Sequence, residues 1–63
     1  MMDCKKFKGY MAQHDISQRE LADLLGIKAE SVNRKVNDKE PFTLSQVKII
    51  CQKYGISADD FFV

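Results

Sequence analysis

The chain has little of what metal sites, membrane spans and enzymes are built from. It holds one histidine, His14, and two cysteines, Cys4 and Cys51, far apart and with no neighbouring Cys or His at a metal-ligand spacing. That argues against a zinc site, and a disulfide framework normally needs more cysteines and a secreted setting. Both cysteines therefore read as small packing residues in a reducing compartment. No apolar run is long enough to span a bilayer, and the opening MMDCKK lacks the apolar stretch of a secretory signal. Cytoplasmic localisation is expected, with no membrane partner. There is no Gly-rich phosphate loop, no acidic pair in an obvious pocket setting and too little chain for a deep cleft. An enzyme is not expected, and no cofactor, metal or small-molecule ligand is implied. Alternating strand patterns, long repeats and low-complexity segments are missing too.

What remains is a row of capped helices. At 63 residues the chain reads as a single domain, 1–63, that buries only about 60% of its unfolded surface. Ile16-Ser17-x-x-Glu20-Leu21 places a capping-box Ser and Glu between two apolar staple residues. Phe42-Thr43-x-x-Gln46-Val47 repeats the pattern, and Ile56-Ser57-x-x-Asp60-Phe61 is a weaker third copy. Each Ser or Thr can take an orphan backbone N–H, and each apolar pair fixes the angle at which the chain comes in. Asp3 is a candidate cap for an earlier helix to about Gln13, with Phe7, Tyr10, Met11 and His14 at helical spacing. The pattern thus predicts five short helices in an all-α fold. Asp15 breaks the first, Gly26 stops the second near Leu25, and Asn37-Asp38 closes the third. Gly55 stops the fourth, which runs from about Leu44 to Tyr54, and the last covers Ala58 to Phe62. The large apolar residues, from Phe7 and Met11 through Leu21, Leu25, Ile27, Val32 and Val36 to Val47, Ile50, Tyr54 and Phe61, read as core.

The stretch Ile16 to Asn37 carries the functional expectation. Ala22, Gly26 and Val32 stand where a helix-turn-helix needs a small residue, a turn residue and a buried β-branched residue. With Val32 taken as inward, Val36 falls beside it, while Glu30, Asn33, Arg34 and Asn37 face outward and Ala29 and Ser31 lie at the leading end. These are the side-chain types that read base edges in a major groove. Arg34 suits guanine O6 and N7, Asn33 or Asn37 suits adenine, Glu30 suits cytosine N4, and the Ala29 methyl suits thymine. The plain alternative for Glu30 and Arg34 is an exposed i,i+4 ion pair worth about 0.3–0.5 kcal/mol, or a pair in which Glu30 poses Arg34. Gln18 and the helix opening at Ser17 are candidates for a phosphate, as are Lys28, Lys35, Lys39 and Asn37. A net charge of +1 says little, but eight Lys/Arg against five Asp/Glu from Lys5 to Lys39 tilts this region towards an anionic partner.

SQRELADLLGI, SVNRKVNDK and FTLSQVKIICQKYGISADDFF together resemble the Cro and lambda-type phage repressor family, the XRE-like helix-turn-helix proteins, over about Phe7 to Phe62. The resemblance implies a lambda-repressor-like domain whose second and third helices bind DNA. It places the backbone contact of the second helix on Gln18 and the readers on Ala29, Glu30 and Arg34, with Lys28 and Ser31 close by. Met11 and Val36 stand where many members carry a buried Arg–Glu pair, Asp38 where a Gly usually ends the third helix, and Lys35 at a commonly apolar position. Members usually bind operators as dimers, so a homodimer on double-stranded DNA is implied, with Phe61, Phe62 and Val63 as candidates for the dimer contact or for a core plug. The expected role is a DNA-binding regulator, more in keeping with repression than activation. An antitoxin-like or excisionase-like accessory factor is the first rival, and a helical protein-interaction module without DNA affinity is the second.

Overall fold

A computed structural model describes residues 4–62, so Asp3 and Val63, a cap and a dimer candidate above, lie outside the described residues. Five helices follow one another: α1 Lys5–Gln13, α2 Gln18–Leu25, α3 Ala29–Val36, α4 Leu44–Tyr54 and α5 Ala58–Phe61. No strand occurs among the described residues. The expected all-α, five-helix architecture is present.

The starts of α2 and α4 use the same chemistry with different completeness. Ser17 Oγ accepts the Glu20 N–H at 2.9 Å, and Thr43 Oγ1 accepts the Gln46 N–H at 3.1 Å. Only at α4 does the reciprocal bond form, from the Thr43 N–H to Gln46 Oε1 at 3.0 Å. Glu20 instead accepts the Tyr54 hydroxyl at 3.0 Å, which ties α2 to the end of α4. The expected box at Ser17 is therefore half-built, because its carboxylate has a tertiary partner. At α5 the Ser57 side chain makes no cap bond at all. The first two staple pairs, Ile16 with Leu21 and Phe42 with Val47, are buried, while Ile56 and Phe61 of the third are half-buried.

Four helices end on one motif, a left-handed residue followed by a six-to-one backbone bond. Gly26 and Gly55 supply the positive φ after α2 and α4, where Ile27 and Ile56 donate to Ala22 and Cys51. Asp15 (φ 55°) and Asp38 (φ 59°) do the same work after α1 and α3, with Ile16 donating to Met11 and Lys39 to Arg34, both at 2.8 Å. Aspartate tolerates this region better than most residues, though less well than glycine. Asp38 has a second use: its Oδ1 accepts the Cys4 N–H at 3.3 Å. The exit of α3 thereby bonds to the start of α1.

The core is ringed by aromatics. Phe7 is fully buried and packs against Phe42 and Phe62, with ring centroids 6.2 Å and 4.8 Å away. Tyr10 meets Phe61 at 5.1 Å, Tyr54 at 6.2 Å and Phe7 at 6.3 Å, and lies tilted against His14 at 4.2 Å. All six Phe and Tyr residues of the chain belong to this one cluster. Phe62 is buried in the core, and Phe61 lies half-buried at its edge against Tyr10. Met11 and Val36 are both buried in the apolar core. Cys4 is buried and Cys51 half-buried; both are free thiols, and burial pushes the Cys51 thiol up. Leu25, Ile27 and Tyr54 are half-buried at the edge of the core rather than inside it.

Candidate nucleic-acid interface

The helix-turn-helix geometry places the candidate site. α2 packs against α3 across the short turn Gly26–Lys28, and Leu21, Ala22, Val32 and Val36 are buried between them and the core. Ala22 is small where the two helices meet, which lets them approach. With its inner side fixed, α3 presents the opposite side to solvent. Ala29, Glu30, Asn33 and Arg34 are all exposed there, and Ser31 is half-buried. With its side chains an α-helix is about 10–12 Å across, which fits the roughly 12 Å width of a DNA major groove.

Gln18, Ala29, Glu30, Asn33 and Arg34 line one shallow open depression. These are five of the residues singled out from the sequence, and they come from two helices. Asn33 Nδ2 donates to Gln18 Oε1 at 3.3 Å, linking the first residue of α2 to the middle of α3. The Gln18 amide nitrogen is left to donate outward. Ser17 Oγ is engaged as the cap of α2, and its hydroxyl hydrogen is still a donor. Glu30 sits in the first turn of α3, where the helix dipole favours a carboxylate.

Arg34 does not pair with Glu30. Its Nε donates to Glu40 Oε1 at 3.3 Å, and its Nη2 donates to Ser31 Oγ at 3.2 Å. The i,i+4 ion pair expected as the plain alternative is replaced by a partner six residues on, in the loop after α3. The other Glu40 oxygen lies 3.1 Å from Lys35 Nζ. The Lys35 ammonium, and after it the Arg34 guanidinium, hold the Glu40 carboxyl below the usual carboxylate range.

Lys35 departs from its expected role as a phosphate contact. The residue is only 6% exposed, its ammonium donates to the Pro41 carbonyl at 3.0 Å, and it lies 5.8 Å from the centre of the Phe42 ring. The stem covers the core at a position where an apolar residue would also fit, and the charge turns inward to Glu40. Asn37 is exposed but occupied: its amide donates to the Asn33 carbonyl at 2.8 Å and accepts from Lys8 Nζ at 2.7 Å. Lys28 and Lys39 are exposed, and Lys28 makes no side-chain cap for α3.

Two residues of this region were not singled out from the sequence. Lys8 arrives from α1, 29 positions away from Asn37, and nothing local announces it. Glu40 lies just past the expected helix end, where a loop acid reads as solvated.

Residues 2–63 match the family model described as the BetR domain. The chain is also 34% identical over 56 residues to a protein named Antitoxin PezA from Streptococcus pneumoniae serotype 4, covering 89% of this chain and 35% of that relative. The chain thus spans about a third of that protein's length. No solved structure matches the chain.

Proposed function

The chain belongs to the BetR domain family, and on that footing we propose that it binds double-stranded DNA sequence-specifically, with α3 in the major groove. The observation that carries this reading is the outer side of α3. Exposed Ala29, Glu30, Asn33 and Arg34 converge with Gln18 on one open depression, with no large apolar side chain among them. That composition suits base edges better than a protein groove, whose centre is usually aromatic or aliphatic. In this reading Ala29, Glu30, Ser31, Asn33 and Arg34 face the bases. Ser17, Gln18, Lys28 and Lys39 face the phosphates, and Lys8 joins them.

The regulator occupies an operator as a homodimer in the manner of the Cro and lambda-type repressors and blocks transcription from within the cytoplasm. A second reading, an antitoxin-type role, is favoured by the likeness to Antitoxin PezA. It keeps the same DNA-facing surface and adds a protein partner. Titrating a fluorescent duplex at several salt concentrations tests the DNA reading. Lys8, Lys28 and Lys39 predict a log–log slope of roughly −3 per protomer, because each phosphate contact releases counterions. Absence of duplex binding even at low salt would move the protein to the interaction-module class.

A further inference from the structure

We propose that Glu40, which lies outside the recognition helix, is a specificity-determining residue: it holds Arg34 in the pose that reads guanine. The proposal rests on the DNA reading above and concerns a residue which that reading does not use. Arginine loses much rotamer freedom when it binds a base, and fixing one such side chain costs roughly 0.5–1.5 kcal/mol, or about 2- to 12-fold in affinity. A side chain already held in place avoids that cost.

Arg34 is held at two points. Glu40 takes the Nε–H and Ser31 takes one Nη2 hydrogen. Two of the five guanidinium donors are thus engaged, and three remain for guanine O6 and N7. An isolated surface ion pair would be too weak and mobile to orient anything. Glu40, however, is itself held. Its second oxygen meets the ammonium of Lys35, a buried side chain anchored on the Pro41 carbonyl. The anchor runs from the buried edge of the core, through Lys35 and Glu40, to Arg34. Among the described residues, no other carboxylate bonds to the Arg34 guanidinium. Glu40 also brings a negative charge near the phosphates, which opposes binding to every duplex alike. Orientation and repulsion therefore pull the two kinds of binding in opposite directions.

Glu40→Ala separates them. The variant should bind non-cognate duplexes more tightly than wild type, yet lose about 2- to 12-fold of its preference for guanine at the one base pair read by Arg34. In the Arg34→Ala background the same substitution should leave that preference unchanged. Unaltered thermal melting confirms a folded variant, and the Arg34 Nε–H relaxation in the free protein supplies a readout that needs no DNA. That group should be rigid in wild type and mobile in Glu40→Ala. A guanine preference that is unchanged or increased in Glu40→Ala overturns the proposal, as does an Nε–H equally mobile in both proteins. If wild type is rigid there but discriminates between no sequences, the DNA reading itself has failed, and the specificity role falls with it.

Discussion

The aromatic side of the molecule and the outer side of α3 are built on opposite terms. On the first, six rings from α1, the loop before α4, α4 and the C-terminal segment pack against one another, with Phe7 and Phe62 buried. On the second, small and polar side chains touch through a few hydrogen bonds of 3.2–3.3 Å and keep their remaining donors towards solvent. The first side can be read as stability, since each ring removes apolar area from water. The second contributes little to stability, because its groups are hydrated whether or not the chain is folded. Its cost is small and its value depends on a ligand.

The largest break in that contrast comes from Phe7→Ala. Its fully buried ring touches three other aromatics, and truncation should cost about 3–5 kcal/mol. In a domain of this size that is a large share of the total, so chemical denaturation should show a largely unfolded variant at room temperature. An ordinary melting transition close to that of wild type would mean that the ring cluster is not the main support.

A smaller test lies where the two sides meet. Burial, and then the Glu20 carboxylate that accepts its hydrogen bond, pushes the Tyr54 hydroxyl up to about 12. A raised pKa favours the neutral phenol in the fold. The stabilisation is therefore complete below the ordinary value of 10.0 and is lost as pH rises towards about 12. Tyr54→Phe should flatten the fall in stability across that alkaline window and cost no more than about 1 kcal/mol at neutral pH. Parallel pH profiles for the two proteins would contradict the link.

Much of the fold is written in short sequence patterns. Staples, caps and left-handed exits depend on residues within a few positions of one another, so Ser17, Thr43, Gly26 and Gly55 announced their helices. The candidate site was legible for the same reason, since the helical period alone puts Glu30, Asn33 and Arg34 opposite Val32. What could not be read were side chains whose partners lie far along the chain or around a corner. Glu20 left its capping box for Tyr54, 34 positions on. Asp38 bonded to the start of α1 from the end of α3. Lys35 stands at a commonly apolar position of the resembling family and its stem does cover the core edge, but its ammonium turns to a carbonyl and a carboxylate there instead of reaching out. Phe61 and Phe62 are ambiguous as a pair in the sequence; contact with Phe7 puts Phe62 in the core, and contact with Tyr10 leaves Phe61 half-buried at its edge.

The most direct test of the account is selection from a randomised duplex library by wild type, Arg34→Ala and Gln18→Ala, followed by sequencing. Wild type should enrich an inverted repeat with half-sites about 10–10.5 base pairs apart. Arg34→Ala should lose preference at one guanine per half-site, worth roughly 1–3 kcal/mol, while Gln18→Ala should weaken binding to all sequences and keep the same motif. Enrichment of no motif by wild type, or the same uniform loss in both variants, would contradict the assignment of the outer side of α3 to base reading.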